Sequence, residues 1–80
     1  KEVMRVNYIK IDFSKVKGYN KLSDKSKRLF EEIYKGHNSI QGNEYKGDYA
    51  PVEVMEQEKK FKVIFKNKEW LYYYFNGTWG

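Results

Sequence analysis

The second half of the chain carries three apolar runs that decide the fold. They are Val52-Glu-Val-Met-Glu-Gln57, Phe61-Lys-Val-Ile-Phe-Lys66 and Glu69-Trp-Leu-Tyr-Tyr-Tyr-Phe75. β-Branched and aromatic residues dominate all three, and the polar dipeptides Glu58-Lys59 and Asn67-Lys68 lie between them. Tight turns between such runs are typical of β-hairpins, so the stretch predicts a three-stranded antiparallel meander.

Two-residue turns at these dipeptides fix which residues face each other across the predicted sheet. Counted outward from the second turn, the predicted pairs are Phe65 with Trp70, Val63 with Tyr72, and Phe61 with Tyr74. Counted outward from the first turn, they are Val54 with Val63 and Val52 with Phe65. These residues share one apolar face, which we expect to lie against a helix.

Residues 23–35 predict that helix. Ser23 is a favourable N-cap, and Asp24 follows it where the helix dipole favours a negative charge. Apolar side chains recur at helical spacings and form one stripe, which consists of Leu22, Leu29, Phe30, Ile33 and Tyr34. Gly36 follows this segment, and we expect it to end the helix in the left-handed conformation.

The other segments are more polar or less regular. From Val6 to Phe13 the apolar residues alternate with one change of phase, which indicates either a strand with a bulge or a strand followed by an extended segment, and this strand could extend the sheet. Residues 37–50 predict a long loop, and Pro51 suits the first position of an edge strand. Asn76-Gly77 predicts a type I′ turn that folds Trp79 back onto the third strand.

The length of the chain allows one domain. Its 80 residues leave no room for a second core, so residues 1–80 predict a single small α+β domain. We expect a three- to four-stranded antiparallel meander with one α-helix packed on one face. The predicted core consists of Leu29, Phe30, Ile33, Val54, Phe61, Val63, Phe65, Trp70 and Tyr72.

The composition argues against several classes of protein. Cysteine is absent, which excludes thiolate metal sites and cysteine nucleophiles and favours a reducing compartment. A run of about 18 apolar residues is lacking, and the N-terminus has no signal-peptide pattern. We therefore expect a protein of the cytosol that has no membrane contact.

The residues that usually carry catalysis are sparse. His37 is the only histidine, and no serine lies in a nucleophile-elbow motif. The position of His37 after the predicted helix favours a role as a partner of the helix dipole and the last carbonyls. The acidic pairs and the loop glycines match no metal or phosphate-binding motif. We expect no enzyme activity, no metal and no cofactor.

Positive charge is concentrated in the N-terminal half. Sixteen Lys and Arg against eleven Asp and Glu give a net charge of +5, and residues 1–36 carry the whole excess. The candidate nucleic-acid surface consists of Lys17, Lys21, Lys25 and Arg28. The last three fall at helical spacing, and one face that holds them would attract phosphates or an acidic protein. A plain solvated face is the competing interpretation, because a charge of this size also keeps small domains soluble.

The face of the predicted sheet that looks away from the helix is half apolar. On the predicted register it carries Met55, Ile64, Leu71, Tyr73 and Phe75. A solvated face has fewer large apolar groups, so either the N-terminal segment covers part of it or it contacts a partner. On the second interpretation these residues are candidate contacts with a protein partner, including a second copy of the chain. A non-catalytic protein-interaction module is therefore the first functional expectation. A small basic nucleic-acid-binding protein is the alternative.

Several stretches together suggest a family. They are Ile11-Asp-Phe-Ser-Lys-Val-Lys-Gly18, Leu22-Ser-Asp-Lys-Ser-Lys-Arg-Leu-Phe30, Pro51-Val-Glu-Val54, Glu69-Trp-Leu-Tyr-Tyr73 and Asn76-Gly-Thr-Trp79. Over most of its length the chain resembles small proteins of phages and prophages of Gram-positive bacteria. The resemblance implies an accessory protein that binds a host or phage macromolecule in the bacterial cytosol. It implies no functional residue.

Overall fold

The structure, a computed structural model, describes residues 7–80. Within them lie one α-helix, α1 (Asp24–Ser39), and three strands, β1 (Pro51–Gln57), β2 (Lys60–Phe65) and β3 (Trp70–Tyr74). Two short 3-10 turns, Phe13–Lys15 and Tyr19–Lys21, precede the helix. The strands form an antiparallel sheet in the order β1-β2-β3, and α1 packs on one face of it. The predicted α+β fold is confirmed.

Helix α1 begins where the sequence predicts and ends later. The hydroxyl of Ser23 accepts a hydrogen bond from the backbone N–H of Ser26 at 3.1 Å, which is the expected N-cap. The prediction that Gly36 ends the helix is wrong, because the helix continues through it to Ser39.

The longer helix is stabilised by a lysine from the following segment. The ammonium group of Lys46 donates hydrogen bonds to the backbone carbonyls of Asn38, Ser39 and Gln41 at 2.9, 3.1 and 2.8 Å. The carbonyl of Asn38 also accepts from the backbone N–H of Gln41 at 3.1 Å, and a cation at this end of the helix complements the helix dipole. Residues 37–50 are therefore not one open loop, because they begin inside the helix and fold back over its end.

The first hairpin has the predicted register. Val54 pairs with Val63, and Gln57 with Lys60, around the two-residue turn. Only the predicted pair of Val52 with Phe65 is wrong. A bulge near the start of β1 puts Pro51 opposite Phe65 and leaves Val52 45% exposed.

The second hairpin is shifted by one residue from the predicted register. Its loop has three residues, since the N–H of Phe65 donates to the carbonyl of Glu69 at 2.9 Å and Lys68 is in the left-handed region with φ 73°. The observed pairs are therefore Phe61 with Tyr73, Val63 with Leu71, and Ile64 with Trp70. The predicted pairs between β2 and β3 are wrong, because a one-residue shift turns every side chain of β3 to the other face.

The core lies between α1 and the inner face of the sheet. It consists of Val16, Leu22, Phe30, Ile33, Tyr34, Val54, Phe61, Val63, Phe65 and Tyr73. Leu29 packs against this core while partly exposed. The predictions of Trp70 and Tyr72 as core residues are wrong, because the register shift puts them on the outer face and Tyr73 in their place.

The N-terminal segment is docked without forming a strand in the described residues. The hydroxyl of Tyr34 donates to the carbonyl of Ile9 at 2.7 Å, and the N–H of Ile9 donates to the side-chain oxygen of Asn38 at 3.0 Å. A single parallel bridge then joins Lys17 to the edge of β1. The predicted N-terminal strand starts at Val6, which lies outside the described residues, and residues 7–13 are not in a strand.

The C-terminal residues cover the edge of β3. Trp79 folds back beside Tyr73 as predicted, the N–H of Tyr74 donates to the carbonyl of Thr78, and Gly80 and Tyr72 exchange two backbone hydrogen bonds. The turn that achieves this is not type I′, which needs positive φ at two residues, because only Gly77 has one, at 94°. Both edges of the sheet are therefore partly paired, which reduces edge-to-edge association.

Candidate functional site

The side of the sheet that faces away from α1 is the candidate site, and we call it the outer face. Strand alternation and the observed register assign to it Glu53, Met55 and Gln57 of β1, Lys60, Lys62 and Ile64 of β2, and Trp70, Tyr72 and Tyr74 of β3. Trp70 is 49% exposed and Met55 39% exposed. In the part of the chain that the structure describes, α1 and its aromatic contacts lie on the opposite side.

A row of aromatic rings follows β3 along the outer face. The ring centroids of Trp70 and Tyr72 are 5.3 Å apart, and those of Tyr72 and Tyr74 are 6.0 Å apart. The rings are inclined to one another by 77° and 49°. The row consists of alternate residues of β3. These residues lie on the outer face because the loop between β2 and β3 has three residues.

Two lysines of β2 lie over this row. The ammonium of Lys60 is 4.2 Å from the ring centroid of Tyr72, and the ammonium of Lys62 is 4.5 Å from that of Trp70. Each lysine thus crosses diagonally from its paired residue on β3 to the ring two positions earlier. Cations over ring faces are attracted by the quadrupole of the ring, so the two lysines and the aromatic row form one connected surface.

The charges around the row are mostly positive. Lys66 and Lys68 are exposed in the loop that precedes Trp70. Glu69 also lies there, but its carboxylate accepts a hydrogen bond from the hydroxyl of Tyr49 at 2.9 Å. Glu53 is the acidic residue of the outer face itself, on the edge strand β1.

The predicted protein interface is divided between the two faces. Met55 and Ile64 lie on the outer face, as predicted. Leu71 and Phe75 pack against the core, and Tyr73 is completely buried. The assignment of these last three to an exposed surface is wrong, because it depended on the shifted register.

The predicted nucleic-acid residues do not form one helical row. All four are exposed, but Lys21 belongs to the 3-10 turn before α1, while Lys25 and Arg28 lie on α1. Lys17 and Lys21 instead line a groove of about 500 Å³ beside β1, with Glu53 among the opposing residues. This groove touches the margin of the outer face, whereas Lys25 and Arg28 belong to the helix on the other side.

His37 is buried in an aromatic cluster. It is 2% exposed, its Nδ1 is 3.0 Å from the hydroxyl of Tyr73, and its ring centroid is 5.3 Å from that of Trp79 and 5.4 Å from that of Phe65. Burial lowers the pKa of His37 to about 4, so the imidazole is neutral at pH 7. The predicted role of His37 as a partner of the helix dipole and the last carbonyls is wrong, because the ring is neutral and its Nδ1 faces Tyr73.

This lowered pKa predicts that the domain loses stability in mild acid. The imidazole titrates near pH 6.5 when unfolded and near pH 4 when folded, so the unfolded chain binds more protons between these values. The contribution of His37 is fully present above about pH 6.5, and acidification from about pH 7 to 4.5 should remove roughly 2 kcal/mol. Urea unfolding at the two pH values measures the loss. The variant His37→Gln should show a clearly smaller loss, and an equal loss would contradict the assignment.

A metal site and a membrane-spanning helix are two further features that the structure allows us to assess. Across residues 7–80, no three His, Cys, Asp or Glu side chains come together in a group that could hold a metal ion. Nor does this part of the chain contain a helix that is long and apolar enough to cross a membrane.

Sequence reasoning identified the basic character of the chain and placed Met55 and Ile64 on the outer face, but it missed the aromatic row and the two lysines over it. The alternation Lys60-x-Lys62 beside Trp70-x-Tyr72-x-Tyr74 is visible in the sequence, and it would have indicated the site once the loop length was known.

Comparison of the chain with protein-family models, with curated proteins and with solved structures found no match in any of the three. The outer face is therefore the feature from which a function can be inferred.

Proposed function

We propose that the protein is a non-catalytic nucleic-acid-binding module whose recognition surface is the outer face. The observation that carries the proposal is the placement of two lysine ammonium groups over the aromatic row of β3. Nucleic-acid-binding surfaces combine positive charge for the phosphates with aromatic side chains for the bases. The net charge of +5 also favours association with a polyanion at long range.

The composition of the outer face favours nucleic acid over a protein partner. Protein interfaces are enriched in Trp, Tyr and Met and depleted in Lys, but Lys60 and Lys62 lie on the central strand of this sheet. The outer face also has nine strand positions, whereas a stable protein interface uses about 20–30 residues on each side. A homodimer through this face is therefore an alternative outcome of the experiments below.

The origin and location of the protein stay predictions. The resemblance to phage and prophage proteins is compatible with a nucleic-acid-binding accessory protein in the bacterial cytosol. The proposal itself rests on the residues of the outer face and requires neither.

Two double variants of equal charge test the proposal. Lys60→Ala/Lys62→Ala removes two positive charges from the outer face, and Lys25→Ala/Arg28→Ala removes two from α1. Binding of a labelled, mixed-sequence single strand of about 12 nucleotides is measured by fluorescence anisotropy at about 50 and about 200 mM salt. We expect the outer-face variant to lose roughly tenfold in affinity at the lower salt, and the helix variant to lose less than about twofold.

The salt dependence gives a second readout of the same contacts. Wild type should lose roughly tenfold in affinity between the two salt concentrations, and the outer-face variant should show a shallower slope. The opposite order of the two variants would move the binding surface to α1. A wild-type protein that binds no oligonucleotide at the lower salt would refute the proposal.

A further inference from the structure

The spacing of the aromatic row indicates which kind of nucleic acid the outer face can bind. Successive bases of a duplex strand are stacked about 3.4 Å apart, but the rings of the row are 5.3 and 6.0 Å apart and inclined to each other. Bases that each contact one ring therefore cannot stay stacked on their neighbours. The row fits a strand whose bases are splayed apart, a state available to single strands and closed to a duplex.

The shape of the sheet also argues against a duplex. The major groove of B-DNA is about 12 Å wide and admits a helix or a two-stranded ribbon. Three strands spaced about 4.8 Å apart, with their side chains, are wider than that groove. The paired segments at Lys17 and at Thr78–Gly80 widen the sheet further. A duplex could therefore meet the outer face only through phosphates, and the aromatic row would contribute nothing.

The ammonium groups of Lys60 and Lys62 can move from the aromatic rings to the phosphates when a strand binds. In the free protein the ammonium groups of Lys60 and Lys62 lie over the rings of Tyr72 and Trp70. A base that stacks on one of these rings must displace the ammonium. The flexible lysine stem then lets the ammonium pair with a phosphate of the same strand, so the positive charge stays beside the bound nucleotide.

From these observations we infer that the outer face binds single-stranded nucleic acid, with bases stacked on Trp70, Tyr72 and Tyr74 and phosphates held by Lys60 and Lys62. The inference rests on the proposed function and adds the class of nucleic acid and the mode of contact. It also predicts a base preference. Oligo-dT should bind more tightly than oligo-dA, because adenine strands must first be unstacked.

The experiment compares probes that have the same length and differ in their bases. They are oligo-dT, oligo-dA, an abasic deoxyribose-phosphate oligomer and a mixed-sequence duplex, each of about 12 nucleotides or base pairs. Affinity is measured by anisotropy, and the quenching of Trp70 fluorescence is followed in a Trp79→Phe background. Oligo-dT should quench Trp70 and bind at least about tenfold more tightly than the abasic oligomer or the duplex.

Aromatic variants separate stacking from charge. Trp70→Ala and Tyr72→Ala should each weaken oligo-dT binding about tenfold or more and leave binding of the abasic oligomer nearly unchanged. The matched control is Tyr45→Ala, because Tyr45 is 52% exposed and lies outside the outer face. This control should bind oligo-dT like wild type.

The possible results distinguish the two proposals. Equal affinity for oligo-dT and for the abasic oligomer or duplex would overturn base stacking and leave nucleic-acid binding intact. No binding of any probe would overturn both. A dimer that persists at both salt concentrations in sedimentation equilibrium and dissociates in Trp70→Ala would also overturn both, in favour of a protein interface.

Discussion

Tyr73→Ala should destabilise the domain by roughly 3–5 kcal/mol, which is a large part of the stability of so small a protein. Tyr73 is completely buried, and its ring lies 5.8 Å from that of Phe30 and 6.1 Å from that of Phe65. Its hydroxyl also lies 3.0 Å from Nδ1 of the buried His37. The substitution therefore leaves a cavity and an unpaired imidazole. The free energy of unfolding in urea measures the effect.

The neighbouring residue provides the matched control. Tyr72→Ala removes a ring of the same size from the outer face, where it lies beside the rings of Trp70 and Tyr74 and under the ammonium of Lys60. We expect a loss of about 1 kcal/mol or less. If Tyr73→Ala is too unstable to measure, Tyr73→Phe should still lose about 1 kcal/mol through the hydrogen bond alone. A larger loss for Tyr72→Ala than for Tyr73→Ala would contradict the observed register.

Among the wrong predictions from the sequence, the register of β3 had the largest effect on the core and on the candidate site. Asn67-Lys68 looks like a two-residue turn, but Lys68 adopts the left-handed conformation and makes it a three-residue loop. A lysine in the sequence does not predict the left-handed conformation. One residue of loop length then decides whether Tyr72 or Tyr73 enters the core, and so which aromatic residues form the candidate site.

The loop at Asn67 and the loop at Asn76 share their hydrogen bonds and backbone conformation. Asn67 and Asn76 each accept a hydrogen bond at their side-chain oxygen from the backbone N–H two residues later, at 3.0 and 3.1 Å. Both asparagines precede a residue with positive φ, Lys68 in one loop and Gly77 in the other. The two loops therefore have the same geometry, and both were predicted wrongly, since Asn76-Gly77 predicted a two-residue type I′ turn.

Local signals predicted the features that depend on local contacts. Ser23 caps α1, Pro51 begins β1, and the turn at Glu58-Lys59 sets the first hairpin, because neighbouring residues determine each of these. The end of α1 depends on Lys46, which reaches back to the helix from the following segment. Contacts of this kind depend on the folded chain, so a glycine that usually ends helices was a misleading guide.

Gly18→Ala should lower the free energy of unfolding by roughly 2–5 kcal/mol. Gly18 has φ of 90°, which disfavours any side chain, and a Cβ there would lie closer than 3.0 Å to the carbonyl oxygen of Val54. This close approach lies next to the bridge between Lys17 and β1, so the backbone cannot shift without breaking hydrogen bonds at 2.8 and 3.0 Å. Thermal and urea unfolding measure the loss.

Gly77→Ala separates the two causes of this loss. Gly77 has nearly the same backbone conformation, with φ of 94°, and nothing lies within 4 Å of the place where its Cβ would be. Its substitution should therefore report the conformational cost alone, about 1–2 kcal/mol. The difference between the two variants is the cost of moving the N-terminal segment away from β1. Equal losses would mean that this segment is not held against the sheet edge, and that the groove lined by Lys17 and Lys21 is not a fixed feature of the surface.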